Sequence, residues 1–471
     1  MVFSGITFLI YFMPVFFLIY YLLPHKYKNG WVLISSLLFF SWGAPVFIFT
    51  VVGSCIIDYY LASKFSSTNR KLFFVTSIAL NLILLAYFKY ANFFIDNFNF
   101  ISSTLTGDVF SFSHILLPVG ISFLIFHKIS FLYDVYRKET EYPSRFSDYL
   151  LFIMLFPHLI AGPIVRFKEI LPQIKSRTQH ITWTDTYYGF MQFIIGLSKK
   201  VLIANVLGEY VNESLEKSVL DFQSAECWII ITAYTFQLYF DFSGYSDMAI
   251  GMARMMGFQF PENFNFPYTS KSITEFWKRW HITLGSWMRD YLYIPLGGNQ
   301  GALSKTYINL FLVFFLSGLW HGASWNFVVW GLYHGAFLVI ERMWLGNLLR
   351  KIPSFLSTLY AFLVVVTGWV FFRLESFDDS IQFIKRMFSF NPETNYKFTS
   401  PEPKFILVLV IAIVFSFPPA FIQKKLTSLY TGRNQLYMIN TAMALLIVVL
   451  YIFNLGELYA TGFNPFIYFK F

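Results

Sequence analysis

Two histidines, His321 and His334, lie inside one apolar run, Leu316 to Glu341, LSGLWHGASWNFVVWGLYHGAFLVIE. Imidazole titrates near neutral pH, so one held in a membrane can take a proton from a hydroxyl and return it. Burying a polar group there is costly: about +2.5 to +3.5 kcal/mol for Asp, Lys or Arg at the centre of a membrane helix, with neutral imidazole costing less but still needing a partner. Both histidines are therefore functional candidates. The competing reading is a packing residue that donates to a neighbouring carbonyl, and His334 leans that way, as does His158 between Pro157 and Pro163.

A third imidazole, His281, sits in KSITEFWKRWHITLGSWMRD (Lys271–Asp290) among Lys278, Arg279, Trp280 and Arg289. These cations could hold a phosphate-bearing donor, although contact with lipid head groups would satisfy them equally well. Two carboxylates, Asp241 and Asp247, fall within or beside the bilayer in YFDFSGYSDMAIGMARMM. Six residues apart, they do not share a face of a regular helix, and Gly244 between them offers a place for it to break. Trp320 and Asn326, flanking His321 in sequence, are read as lining the same site, with Asp241 and Asp247.

The elements that must position these groups are membrane helices. Of the 471 residues 56% are hydrophobic and only 13% charged, with 60 Phe, far more apolar surface than a soluble fold buries. The expected fold is all-α: a single polytopic membrane domain over residues 1–471, with about eleven to thirteen apolar segments by the ~20-residue rule. Gly318, Gly322, Gly331 and Gly335 form two G-x-x-x-G spacings, which let helix backbones approach closely around His321 and His334. The net charge of +9 is spread over short loops and forms no stripe, so nucleic acid is not the partner. The lipid bilayer is. By the positive-inside rule Lys26 and Lys28 face the cytoplasm, which puts the N-terminus and the Lys- and Arg-free stretch Asp96–His114 outside. Met1–Leu23 reads as a retained first span, Tyr149–Ile164 as re-entrant, and Lys271–Asp290 as an interfacial amphipathic segment. Cys55 and Cys227 read as small core residues, and no metal site is expected.

G-x-G-x-x-G, Walker A, H-E-x-x-H and G-x-S-x-G are all missing, which argues against an ATP-driven pump and a nucleophile-elbow hydrolase. Four separated motifs, WHGASWNFVVWGLYHG, FDFSGYSDMAIGMARMMGF, EFWKRWHITLGSWMRDYLYIPLGGN and the terminal FIYFKF, resemble those of the membrane-bound O-acyltransferase (MBOAT) family. The similarity is to its bacterial branch of alginate and peptidoglycan O-acetyltransferase membrane subunits and the teichoic-acid D-alanyl transfer protein. The resemblance implies a helical wall around a thin centre with a central tunnel or funnel, in the bacterial cytoplasmic (inner) membrane. It implies His321 as the catalytic residue and His281 as the second histidine of the site. It implies no bound cofactor but a cytoplasmic thioester donor, acetyl-CoA or an acyl-carrier protein. The acyl group would pass to an extracytoplasmic partner, often a separate SGNH-type acetyltransferase, or to a polysaccharide acceptor.

On this reading His321 is the general base, His281 orients or polarises the donor carbonyl, and Lys278 and Arg279 hold the donor's phosphates. An acyl-histidine intermediate is an alternative. D-alanyl transfer to teichoic acid is the nearest rival within the family. Outside it, a transporter or flippase would use Asp241, Asp247 and a histidine as a proton relay, but the paired inverted repeats it predicts are not found.

Overall fold

A computed structural model describes residues 1–177, 181–389, 401–423 and 441–464. Among them the regular structure is helical and no strand occurs. The terminal FIYFKF motif lies outside the described residues.

The chain opens with α1 (Met13–Leu22), stopped at Pro24, then α2 (His25–Gly43) and α3 (Phe47–Ser63), which part at Ala44–Pro45. α4 (Arg70–Leu85) continues through a wider turn at Ala86–Tyr90 into α5 (Ala91–Leu105). α6 (Ile121–Tyr136) starts at Gly120, whose φ of 77° and whose approach to the Leu159 carbonyl leave no room for a Cβ. The re-entrant stretch holds only short pieces, α7 (Phe146–Met154) and α8 (Phe156–Leu159), before α9 (Phe167–Ser176). α10 (Trp183–Ser198) and α11 (Asn205–Ser214) lead to α12 (Ser224–Met255), the longest helix at 32 residues, opened by a reciprocal Gln223–Glu226 cap. After α13 (Ile273–Arg279) and α14 (Ile282–Met288) come α15 (Leu303–His321), α16 (Trp325–Ile340), α17 (Gly346–Leu349), α18 (Ser354–Arg373), α19 (Phe377–Met387), α20 (Pro403–Ser416) and α21 (Thr441–Thr461).

Among the described residues five helical stretches are long and apolar enough to cross a membrane: Arg70–Leu105, Trp183–Ser214, Leu303–His321, Ser354–Arg373 and Ala444–Thr461. Three shorter apolar helices join them, Phe8–Leu22, Phe47–Ser63 and Pro403–Ser416. Fewer long spans appear than apolar segments were counted, because several segments are broken, as in α7–α8, or are interrupted by polar residues, as in α12.

Two sequence expectations change. Gly244 does not break α12; it lets α12 lie against α10, where a Cβ on Gly244 would meet the Gly196 carbonyl at 2.6 Å. Gly251 makes the same approach to the Gly189 carbonyl at 2.5 Å, seven residues along each helix. Nor is Lys271–Asp290 an interfacial anchor. It folds as two short helices whose Phe276, Trp280 and Trp287 are buried, and the Glu341 carboxylate accepts the backbone N–H groups of Ile273 (2.6 Å) and Thr274 (2.9 Å) at the start of α13.

Candidate active site

His321 ends α15, and the chain turns at Gly322 straight into α16. The turn is tight because the two helices meet through glycine: a Cβ on Gly318 would sit 3.1 Å from the Gly331 Cα, and one on Gly322 would collide with the Phe327 ring. The G-x-x-x-G spacing thus does what its residue types suggest. The imidazole of His321 is buried among rings, 4.8 Å from Trp320, 5.0 Å from Trp330 and 5.1 Å from Phe372 by centroid. The last carbonyls of α15 have no partners inside the helix and are capped by side chains of the preceding bundle. Tyr90 donates its hydroxyl to the Leu319 carbonyl (2.8 Å), and the Lys89 ammonium donates to the carbonyls of Trp320 and His321 (3.4 Å to the latter) and to Ser122 Oγ (3.3 Å). A cation at a helix C-terminus also complements its dipole. A small cavity of about 80 Å³, lined by Lys89, Gly120, Ser122, Ile160, Trp320 and His321, lies against this end of the helix.

His281 is positioned by a different device. It occupies the elbow between α13 and α14 with left-handed backbone angles, φ 45° and ψ 54°. Two backbone hydrogen bonds clamp the elbow to the preceding loop, Ile282 N–H to the Asn263 carbonyl and Asn265 N–H to the Arg279 carbonyl, both 2.9 Å. The ring is 1% exposed, lies edge-to-face on Phe242 at 4.7 Å, and hydrogen-bonds through Nδ1 to Asn263 Oδ1 at 3.0 Å. The Trp320 ring lies 6.3 Å from that of His281 and 4.8 Å from that of His321, so both imidazoles adjoin one indole. Phe126 stacks on Trp320 at 5.0 Å and on Trp287 at 3.8 Å, so Trp320 belongs to an aromatic cluster.

The remaining candidates disperse. Asp241 pairs with Lys200 at 2.8 Å and Asp247 with Lys199 at 2.6 Å, so the two carboxylates tie α12 to the helical turn after α10. Asn326 donates to Ser380 Oγ at 3.3 Å and to the Leu374 carbonyl, fastening α16 to the chain after α18. Arg279 is engaged by Glu275 (2.8 Å) and Arg289 by Asp290 (2.7 Å), whereas Lys278 is exposed and has no ion pair among the described residues. Trp280 is buried against Trp369 at 5.1 Å and belongs to the core. His334 packs against Trp277 and Trp330 and sits so near Gly368 that a Cβ there would meet its Nε2 at 2.7 Å. His158 Nε2 hydrogen-bonds to the Phe152 carbonyl at 2.8 Å, the packing role expected of it.

A family model described as MBOAT, membrane-bound O-acyltransferase family, matches residues 27–373, a stretch that includes both histidines. This chain belongs to the membrane-bound O-acyltransferase family. Its relatives include a probable alginate O-acetylase of Azotobacter vinelandii, 43% identical over 399 residues that make up 84% of this chain and 79% of that protein. The corresponding Pseudomonas putida protein is 38% identical over the full length of both chains. A peptidoglycan O-acetyltransferase of Helicobacter pylori is 32% identical over all of this chain and 98% of that one. As a member of the O-acyltransferase family the chain is an acyltransferase enzyme, and its apolar helices make it a membrane protein.

The structure also shows buried polar residues, some of them beside His281 and His321, that the sequence does not single out. Lys89 was readable in principle, being a lone cation inside the apolar run Leu72–Ile95. Asn263 and Thr283 carried no such mark, since short polar residues in a turn are ordinary. His127, whose ring stacks on His158 at 4.3 Å, lies next to Lys128, and Lys128 forms a buried ion pair with Asp58 at 3.1 Å.

Proposed function

We propose that this enzyme moves an acetyl group from a thioester donor on the cytoplasmic side of the bacterial inner membrane toward the O-acetylation of an extracytoplasmic polysaccharide. The observation that carries the reading is the placement of both His281 and His321 against Trp320, in a chain 43% identical over 399 residues to a probable alginate O-acetylase. The cavity against His321 is lined by residues of the loop before α6, which follows the stretch free of Lys and Arg, so the acceptor approaches His321 from the outer side.

In this mechanism His321 takes the proton from the acceptor hydroxyl as its oxygen attacks the thioester carbonyl. The new C–O bond forms, the C–S bond breaks, and the proton goes to the departing thiolate. The Lys89 ammonium, whose hydrogen bonds fix the carbonyls of Trp320 and His321, holds the end of α15 and with it the ring. The donor is acetyl-CoA or an acetylated carrier protein. The exposed Lys278 is the cation of the set best placed to meet its phosphates, because Arg279 and Arg289 are held by carboxylates. The acyl group passes to a separate acetyltransferase of the SGNH type or directly to the polysaccharide.

The test is transfer of radiolabel from acetyl-CoA, or from an acetylated carrier protein, by the purified enzyme in lipid with an SGNH-type acetyltransferase and polysaccharide present. Label that moves with the wild type and stays put with His321→Ala supports the reading. Wild-type enzyme that transfers label from neither donor would overturn it.

A further inference from the structure

The hydrogen bonds around His281 fix which of its two nitrogens carries the proton. Asn263 Oδ1 receives the backbone N–H of Thr283 at 3.3 Å, and a backbone amide can only donate. The Thr283 hydroxyl points the same way. It accepts the backbone N–H of Ile164 at 2.9 Å, which turns its own hydrogen toward Asn263 Oδ1, 2.8 Å away. The other end of the amide, Nδ2, donates to Ser246 Oγ at 3.1 Å. The atom that His281 Nδ1 meets at 3.0 Å is therefore an acceptor, and Nδ1 must bring the hydrogen. In the neutral ring Nε2 is then bare, and it is buried without a hydrogen-bond partner among the described residues. A buried acceptor left unmatched costs free energy, as does the left-handed backbone that carries it. Both costs are borne next to Trp320 and His321.

We propose that Asn263 and Thr283 are positioning residues that lock His281 in its Nδ1–H form, so that its Nε2 enters the reaction as a proton acceptor. This rests on the acyl-transfer reading and deepens it. A bare nitrogen has no hydrogen to give a carbonyl oxygen, so His281 does not polarise the thioester while neutral. Instead it offers a second station for the one proton in transit. The hydroxyl loses that proton to the histidine pair, the C–O bond forms, the C–S bond breaks, and the thiolate regains the proton. While His281 holds it, Nδ1–H stays on Asn263 and the new Nε2–H is the donor toward sulfur. The polarity starts at fixed backbone amides, of Ile164 and Thr283, and ends at the reacting nitrogen.

Enzyme labelled with ¹⁵N in the imidazole rings of histidine and placed in lipid reads this directly, the His281 signals being those missing from His281→Gln. Protonated-type Nδ1 and bare-type Nε2 are expected, with Asn263→Leu and Thr283→Val giving mixed forms. In transfer assays Asn263→Leu should cut kcat by about 10²-fold with KM little changed, and add nothing in a His281→Ala background. Asn263→Asp, which keeps the acceptor, should restore kcat to within about threefold of wild type. A wild-type signal from Nε2–H, or equal losses in Asn263→Leu and Asn263→Asp with the spectrum unchanged, would overturn the proposal. The spectra need no acyl donor. An enzyme inert toward every thioester would thus defeat the acyl-transfer reading while leaving the tautomer result standing.

Discussion

The two histidines of the site are held by opposite means. His321 ends a regular helix whose partner, α16, lies against it glycine to glycine, so its place is set by shape. His281 sits in a left-handed elbow between two short helices, so its place is set by the hydrogen bond its Nδ1–H gives to Asn263, an amide that Thr283 and in turn Ile164 orient. A side chain added at the glycine seam disturbs the first device, and loss of a polar partner in the loop disturbs the second. The proposed site therefore has two points of failure, each exposed to a different kind of substitution.

The largest effect tests whether the two imidazoles are equivalent. His321→Ala should reduce transfer by about 10²- to 10⁴-fold in protein that still folds, as seen by radiolabel release and by an unchanged melting curve. Transfer within twofold of wild type would remove His321 from the chemistry. Next, Gly331→Leu attacks shape alone. The added side chain must push into α15, costing about 1–3 kcal/mol in thermal unfolding and displacing His321, while the His281 ¹⁵N signals stay where they were. If the His281 signals moved as much, the two devices would be one. Lys89→Met removes the cap on α15 but leaves its glycine contacts. Charged hydrogen bonds are worth about 1.5–3 kcal/mol, so transfer should fall roughly tenfold or more with little loss of folded protein, measured side by side with Gly331→Leu.

The smallest effect lies outside both devices, at Asp290. Burial would raise its carboxyl, but the hydrogen bond from Arg289 and the charges of Arg166 and Arg289 outweigh burial and hold it below its ordinary value of 3.8. A carboxyl lowered on folding adds stability above its unfolded value, and that stability is lost as pH falls through the folded one. Asp290→Asn should therefore cost about 1 kcal/mol or less at neutral pH and flatten the fall in melting temperature below pH 4. A variant that melts with wild-type pH dependence would assign the acid sensitivity elsewhere.

What the sequence disclosed follows the same division. Spacing of small residues is a one-dimensional signal, so the α15–α16 hairpin, the placement of His321 within it and the helical class were all readable from the chain alone. The relay on His281 joins residues 164, 263, 281 and 283, and no periodicity announces that a loop asparagine will face an imidazole. The capping of Trp320 by Lys89 spans 231 positions and is equally silent in one dimension. The carboxylates were half legible for a related reason. Asp241 and Asp247 stood out because charge in a membrane is rare, but their partners Lys200 and Lys199 lie more than forty residues away. Gly244 was legible as a special position, but its purpose depended on Gly196 being opposite.

The paired glycines of α10 and α12 bear on how substrates arrive. A seam that brings backbone to backbone at Gly189–Gly251 and again at Gly196–Gly244 has no side chains there to act as bearings, and sliding one helix past the other would drive each carbonyl into a Cα. That side of the enzyme is riveted. Alternating access by rocking helices, the economy of a pump, is closed to it along this seam. In the proposed reaction, traffic across the bilayer is then borne by the reactants, with a thioester reaching in from one face and a hydroxyl from the other.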